Sequence, residues 1–190
     1  MRLASRIIAL FILVFGLGLG AGLGQSNQPT ISQIEAMGNF AERPTSQVIW
    51  SKEVGRIDSD QAHAVITALI LQDATHSPQQ MRGVRIDLTE GNQEDHLYTS
   101  EEHLGRLIQA LDEISEGWPR YVKRIQGQGC FGSGVFWQQE GHAFSASQCV
   151  LNRWEGLSVG TGAESFRFTG VTSSRFADAF TRCRDELKQQ

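Results

Sequence analysis

Two short acidic stretches, EDH at 94–96 and EEH at 101–103, bring two histidines and four carboxylates within ten residues. Imidazole nitrogens and carboxylate oxygens can ligate metal ions and can also act as acids and bases. Their spacing matches none of the established metal motifs. The candidate metal ligands are His96, Glu102 and His103, and one hypothesis for the function is a small metal-assisted hydrolase. The competing interpretation of Glu102 is a negative charge in the first turn of a helix, where it favours the helix dipole.

The three cysteines indicate a different chemistry. If QQEG at 138–141 is a four-residue turn between two strands, Cys130 lies directly opposite Cys149. The Cβ atoms of opposed residues are about 4.5–5.5 Å apart, close enough for a disulfide after a small adjustment. We therefore predict a Cys130–Cys149 disulfide in an oxidising compartment, which leaves Cys149 unable to act as a nucleophile. Cys183 lies on the apolar stripe of a predicted helix and is expected to be a buried thiol.

Four further residues are candidates for binding. Arg85 and Asp87 lie on the polar side of a predicted strand, and Arg167 lies between two phenylalanines on another. If these strands are neighbours, the three side chains form a small polar platform that can hold a carboxylate. Trp154 belongs to a predicted loop at 152–156, where its ring can stack on a sugar or on a partner protein. The plainer interpretation of the charged residues is a surface ion pair of small energetic value.

The glycine-rich stretch GQGCFGSG at 127–134 contains the pattern GxGxxG of dinucleotide-binding loops, formed by Gly127, Gly129 and Gly132. Such a loop must open a helix whose backbone amides face the pyrophosphate. Here the residues VFW follow, and they favour a strand. No cofactor is therefore predicted.

Apolar periodicity predicts the helices that position these residues. The predicted helices follow Ser59, Thr99 and Thr172, and each carries apolar residues three and four positions apart. In the second helix Thr99 and Glu102 form a capping box. We expect this helix to stop at Gly117 and Pro119.

Alternation of apolar and polar residues predicts the strands. They are expected at 48–50, 83–89, 121–125, 130–137, 142–150, 157–159 and 165–168. The polar segment at 90–96 is expected to be a loop. The order of elements predicts an α+β fold, a mostly antiparallel sheet with about three amphipathic helices packed on one face.

The N-terminal sequence predicts export. Arg2 and Arg6 precede an apolar run at 7–23, and small residues follow, which is the order of a secretory signal. We predict a signal peptide at 1–24, a polar linker at 25–46 and one globular domain at 47–190. An uncleaved membrane anchor at 7–23 is the alternative to the signal peptide, and both place the domain outside the cytoplasm, in the periplasm or beyond.

The charge balance limits the partners. Removal of residues 1–24 takes away two of the 17 basic residues and none of the 21 acidic ones, which leaves a formal net charge of −6. Binding to nucleic acid is not expected of such a chain. The leading hypothesis is a non-catalytic extracytoplasmic binding or accessory protein, whose partner is an envelope protein or a cell-wall component. Membrane contact is expected only through the N-terminal segment, if that segment is not cleaved. A self-associating envelope protein is a third hypothesis.

Overall fold

A computed structural model describes residues 37–75, 79–125, 127–132, 135–139, 142–152 and 154–190. The predicted signal or anchor at 1–24 and most of the predicted linker lie outside the described residues. The elements in chain order are α1 (Met37–Ala41), β1 (Ser46–Asp58), β2 (Ala62–Asp73), β3 (Gln80–Glu90), β4 (Gln93–Ser100), α2 (Glu101–Val122), β5 (Gly129–Phe131), β6 (Val135–Gln139), β7 (His142–Leu151), β8 (Trp154–Gly160), β9 (Ser165–Thr169) and α3 (Ser173–Leu187). Helices and antiparallel strands thus form the mixed α+β class that the sequence predicts.

The first sheet is an antiparallel meander in the order β1-β2-β3-β4. Alternate residues of its two central strands are buried, as expected for a sheet with one face against a core. The buried positions include Ala62, Ala64, Ile66 and Ala68 on β2 and Val84, Ile86 and Leu88 on β3. The strands predicted at 48–50 and 83–89 are confirmed as parts of β1 and β3.

The helix predicted after Ser59 is wrong, because this segment is strand β2. Its sequence AHAVITALIL fits both periods, since apolar residues recur three and four positions apart and also at every second position. The β-branched run Val65, Ile66 and Thr67 favours the strand. Ser59 closes the β1–β2 hairpin, where its backbone N–H donates to the Ala62 carbonyl at 2.9 Å.

The polar segment at 90–96 is not the loop that we predicted from its composition. Only Gly91 and Asn92 separate β3 from β4, and Gly91 has a φ of 62°, a conformation that glycine adopts readily in a tight turn. Residues 94–96 belong to β4, an edge strand of the sheet. A strand at an edge, with one face open to water, keeps its structure without an apolar run.

Helix α2 is confirmed, but its limits differ from the predicted ones. The residue before its first turn is Ser100, whereas Thr99 is buried at the end of β4. The helix continues past Gly117 and Pro119 to Val122, so the strand predicted at 121–125 is wrong. Gly117 is needed because a Cβ atom there would collide with the Phe131 ring. Pro119 lies inside α2, where it removes the N–H that would otherwise donate to the Ser115 carbonyl, and the helix nevertheless continues to Val122.

The second sheet is antiparallel in the order β5-β7-β8-β9, and β6 also pairs with β7. In β5, Cys130 lies opposite Cys149, as the sequence predicts. The pairing of β6 differs, because Trp137 lies opposite Phe144 and Gln139 lies opposite His142. Strands β6 and β7 are therefore joined by two residues, and the predicted four-residue turn QQEG is wrong. The strands predicted at 157–159 and 165–168 are confirmed within β8 and β9.

Helices α2 and α3 pack against each other and against the buried faces of both sheets. One continuous core contains residues from the first sheet, from both helices and from the second sheet, among them Ile66, Leu111, Phe180, Phe144 and Phe166. The helix predicted after Thr172 is confirmed as α3. Cys183 on α3 is buried as predicted, and burial raises the pKa of its thiol to about 12.

The third helix, α1, lies on the other face of the first sheet, so the prediction of three helices on one face is not confirmed. Its side chains form a separate small cluster with alternate residues of β2, consisting of Met37, Phe40, Leu69 and Leu71. Gly83 on β3 permits this contact, because a Cβ atom there would collide with the Met37 sulfur. The packed part of the chain thus begins by Met37, ahead of the predicted start at Gln47.

The tip of the β3–β4 hairpin joins the two sheets. The Glu90 carboxylate accepts a hydrogen bond of 2.7 Å from the backbone N–H of Arg167 on β9. Gln93 Nε2 donates to Glu164 Oε2 at 3.0 Å. The Glu90 carboxylate of the first sheet therefore accepts a backbone N–H at the edge strand β9 of the second sheet.

Gln148 is a buried polar side chain that ties β7 to the start of α3. Its Oε1 accepts a hydrogen bond of 3.2 Å from the backbone N–H of Ser173, and its Nε2 donates to the Val171 carbonyl at 3.0 Å. Thr172, directly before α3, makes no side-chain cap hydrogen bond. Gln148 therefore supplies, from a neighbouring strand, the acceptor that a capping residue usually provides.

Replacement of Gln148 by leucine is expected to lower the free energy of unfolding by about 1–3 kcal/mol, because the Ser173 N–H and the Val171 carbonyl stay buried without their partner. Urea denaturation followed by circular dichroism measures this change. The control is Gln47→Leu at an exposed position of β1, for which we expect a change within about 0.5 kcal/mol. Equal stability of Gln148→Leu and the unsubstituted protein would contradict the capping role.

Asp73 at the end of β2 connects the first sheet to the segment after α1. Arg43 Nη1 donates to Asp73 Oδ2 at 3.0 Å, and the Arg43 guanidinium lies 5.1 Å from the centre of the Phe40 ring. Asp73 Oδ1 accepts hydrogen bonds from the Thr75 backbone N–H at 3.0 Å and from the Thr75 hydroxyl at 2.8 Å. Hydrogen bonds to the ionised carboxylate lower the pKa of Asp73 from 3.8 to about 2, and the bond from the Thr75 backbone N–H is the largest cause.

The lowered pKa of Asp73 predicts a pH-dependent stability. The ionised carboxylate stabilises the folded state above a pH of about 4, and this contribution is lost as the pH falls toward about 2. Asp73→Asn should therefore melt at a lower temperature than the unsubstituted protein at neutral pH, and the difference should shrink in acid. Thermal melts over this pH range test the prediction, with Asp60→Asn in the exposed β1–β2 turn as the control. A difference that does not depend on pH would contradict it.

Candidate functional site

The predicted polar platform of Arg85, Asp87 and Arg167 is not formed, because these residues lie on different sheets. Arg85 and Asp87 are on β3 of the first sheet, where Arg85 Nη2 lies 2.6 Å from Asp87 Oδ1. Arg167 is on β9 of the second sheet, and its nearest acidic partner is Glu90, with Nε 3.8 Å from Oε1. Each arginine is thus paired within the protein.

Trp154 is not in an exposed loop, because strand β8 begins at this residue. Its side chain is half-buried, and its Nε1 donates to the Thr169 hydroxyl on β9 at 3.1 Å. This hydrogen bond holds the indole against the sheet. The role of this ring in stacking on a sugar or on a partner protein stays a prediction.

The candidate metal ligands His96, Glu102 and His103 are not brought together. His96 lies on β4 opposite Asp87, and its ring contacts Tyr98 edge-on, with 5.6 Å between ring centres. His103 Nδ1 lies 2.8 Å from the Ser100 hydroxyl at the start of α2, and Glu102 is exposed. Among the described residues, no group of three or more His, Cys, Asp or Glu side chains is arranged to hold a metal ion.

The disulfide between Cys130 and Cys149 is present, as the sequence predicts. The two sulfur atoms are 2.09 Å apart and the two Cα atoms are 4.1 Å apart. The disulfide joins β5, a strand of three residues, to the much longer β7. Cys130 is exposed and Cys149 is buried. The disulfide therefore ties this three-residue strand covalently to β7.

The most distinctive surface lies at the C-terminal end of α2. We call Trp118, Arg120, Tyr121, Val122, Lys123 and Arg124 the basic–aromatic surface. Its three cationic side chains are exposed, and none of them has an ion-pair partner among the residues that the structure describes. Three unpaired positive charges thus stand within five residues of a protein whose net charge is −4.

Aromatic stacking gives this surface a rigid base. Trp118 and Tyr121 are half-buried, with ring centres 5.9 Å apart and ring planes inclined by 28°. Tyr121 also contacts Phe131 on β5, with 5.3 Å between the ring centres. Gly129 on β5 leaves room for Tyr121, since a Cβ atom at Gly129 would lie 2.5 Å from the tyrosine hydroxyl oxygen. Strand β5 and its disulfide therefore support the aromatic base of the surface.

The electrostatics of α2 allow two interpretations of these cations. Acidic residues in the first turn and basic residues in the last turn both favour the helix dipole, each by about 0.3–1 kcal/mol. Helix stability alone therefore explains a basic residue at this end. The half-buried aromatic pair and Val122 continue the apolar stripe of the helix, so they lie on a different side of the helix axis from Arg120 and Lys123. The exposed cations by themselves are typical of a surface that contacts a negatively charged partner.

Sequence reasoning missed this surface because it predicted a strand at 121–125. In a strand, Lys123 would face away from Arg124, and Trp118 would belong to a separate loop. On the last turns of a helix these side chains share one end of the molecule. The available signal was the segment WPRYVKR, which has two aromatic and three basic residues in an acidic chain.

The disulfide generates a stability prediction. The double variant Cys130→Ser, Cys149→Ser should lose about 3 kcal/mol of unfolding free energy, because the unfolded chain regains freedom in the loop between residues 130 and 149. Alkylation in denaturant without reduction should label Cys183 alone, and alkylation after reduction should label all three cysteines. Intact mass and urea denaturation measure both effects. Labelling of all three cysteines before reduction would contradict the disulfide.

The described residues contain no helix long and apolar enough to cross a membrane. Comparisons with protein-family models, with curated proteins and with solved structures find no match for this chain. What the protein does is therefore inferred from its own residues and their geometry.

Proposed function

We propose that the protein is an exported, non-catalytic binding domain that holds an anionic component of the cell envelope through the basic–aromatic surface. The observation that carries this proposal is the cluster of Arg120, Lys123 and Arg124, three exposed cations without ion-pair partners in the described structure. Carboxylate and phosphate groups are the natural partners of such a cluster, since charge-assisted hydrogen bonds are among the strongest that side chains make.

Two features support export. The N-terminal sequence has the order of a secretory signal or anchor, with arginines before an apolar run and small residues after it. The Cys130–Cys149 disulfide suits an oxidising compartment, because cytosolic thiols are kept reduced. An envelope location also brings the domain close to abundant carboxylate- and phosphate-bearing polymers and lipids.

The rigidity of the surface supports binding. Arg120, Lys123 and Arg124 project from the end of a long helix whose apolar stripe is fixed in the core. The stacked Trp118 and Tyr121 limit movement of the last turns. A surface already held in its binding conformation loses less entropy when it meets a partner.

The proposal is tested with a triple variant, Arg120→Gln, Lys123→Gln and Arg124→Gln, and with soluble inorganic polyphosphate as the probe. Isothermal titration calorimetry should show that affinity falls by about tenfold or more and depends less steeply on salt concentration, because fewer counterions are released on binding. Glutamine keeps the helix propensity close to that of arginine and lysine.

The matched control is Arg106→Gln, Arg175→Gln and Arg182→Gln, which removes the same charge from three other exposed basic residues without ion-pair partners in the described structure. Arg106 lies about 21 Å from Arg120 along the helix axis. The control should bind polyphosphate with nearly unchanged affinity. Equal weakening in the two triple variants would refute a local site, and absence of polyphosphate binding would refute the proposal.

A further inference from the structure

We infer that the Cys130–Cys149 disulfide is a redox switch, and that its reduction releases strand β5 and loosens the last turns of α2. Where it concerns binding, this inference depends on the proposed function, because it assigns a regulation to the basic–aromatic surface. Three observations carry it: the exposure of Cys130, the position of β5 at an edge of its sheet, and the contacts of β5 with α2.

Cys130 gives a reductant access to the disulfide. It is exposed at the surface, whereas Cys149 has 2% of its surface accessible. A thiolate can therefore reach the Cys130 sulfur without prior unfolding of the core. Exposed disulfides are reduced more easily than the shielded structural ones, and regulatory disulfides belong to this labile class.

The exchange requires a dithiol, and we assign this role to a protein dithiol of the same compartment. Its first thiolate attacks the Cys130 sulfur, which forms a mixed disulfide and expels Cys149 as a thiolate that takes up a proton. The second thiolate of the dithiol then attacks its own sulfur in the mixed disulfide and releases Cys130, which is also protonated. Two electrons and two protons pass to the protein, and the reductant leaves as a disulfide.

The third cysteine does not interfere with this exchange. Cys183 is buried on α3, and burial raises the pKa of its thiol to about 12. The thiolate is the form that attacks a disulfide, so Cys183 is a poor nucleophile at neutral pH. Reoxidation should therefore restore the Cys130–Cys149 pair without exchange with Cys183.

Strand β5 is the part of the second sheet that reduction sets free. It has three residues, it lies at the end of the strand order β5-β7-β8-β9, and it pairs with β7 at three positions. By comparison, β7 and β8 pair at seven positions. Short segments at the edge of a structure open locally at a lower free-energy cost than its core. The disulfide opposes this opening, because it ties the middle residue of β5 to β7.

The contacts of β5 with α2 connect this opening to the basic–aromatic surface. Phe131 lies against Gly117 of α2, where a Cβ atom would collide with its ring, and its ring centre is 5.3 Å from that of Tyr121. Tyr121 in turn stacks on Trp118. When β5 leaves, Tyr121 loses Phe131 as a neighbour, and the last turns of α2 open more easily. The three cations then lose their fixed spacing, which weakens binding to an anionic partner.

The test uses the full chain with its disulfide intact, treated with dithiothreitol under native conditions. Intact mass after alkylation should show two labelled cysteines, because Cys183 stays buried. Hydrogen–deuterium exchange should accelerate about tenfold in peptides that cover residues 118–125 and 127–132, whereas peptides from 64–71 and 83–88 should exchange as before.

Three outcomes of this test overturn the inference. The first is reduction that occurs only in denaturant, because the disulfide is then inaccessible in the folded protein. The second is unchanged exchange at 118–125 after reduction. The third is equal acceleration in all four peptides, which indicates a disulfide that stabilises the whole fold and controls no local opening.

The control is the double variant Cys130→Ser, Cys149→Ser, which cannot form the disulfide. Its exchange at 118–125 should match that of the reduced protein and should not respond to dithiothreitol. A response of this variant shows that the reductant acts elsewhere, and it also overturns the inference. Circular dichroism establishes that the variant and the reduced protein keep the fold.

A binding measurement separates this inference from the proposed function. Polyphosphate affinity should fall about threefold to fivefold on reduction, because the surface is less preorganised, and should return on reoxidation. Failure of the oxidised protein to bind polyphosphate refutes the proposed function and any regulation of it, while the exchange data still decide whether reduction releases β5. Affinity that reduction leaves unchanged overturns the regulation and leaves the proposed function standing.

Discussion

The structure depends on one constraint, which is that two sheets bury their apolar faces against the same pair of helices. Neither sheet covers itself, and each needs a second layer. Helix α3 shows how closely the parts fit: Phe176 and Phe180 meet Phe168 and Phe144 of the second sheet edge-on, with ring centres 5.3 and 6.2 Å apart. On the side of the first sheet, Gly55 of β1 leaves room for Ala179.

The same constraint determines where α2 ends and what that end can do. Because its apolar stripe is held in the core, its last turns extend toward β5, where Phe131 and Gly129 receive Tyr121. The disulfide holds β5 in place. The surface proposed to bind an anionic partner is thus supported by residues that are distant in sequence.

Sequence reasoning succeeded where one periodicity or one register dominates. The apolar stripes of α2 and α3 and the alternation in β3 were predictable from local pattern. The pairing of Cys130 with Cys149 was also predicted, but from a four-residue turn that the structure does not have, because the register against β7 shifts along β6 and β5 and so compensates for the shorter connection. Sequence reasoning failed in the segment at 62–73, where helical and strand periods coincide, and at 94–96, where an edge strand is polar. It also failed at the end of α2, because Gly117 and Pro119 usually end helices and here do not.

The sequence by itself determined the α+β class, the two long amphipathic helices, the disulfide and the expectation of export, because each follows from composition or from spacing within a short segment. Only the tertiary structure decided the rest. It separated Arg167 from Arg85 and Asp87, held Trp154 against Thr169, and gathered three unpaired cations beside two stacked aromatic rings. The physical reason is that these relations depend on which elements share a core, and local periodicity carries no information about that choice.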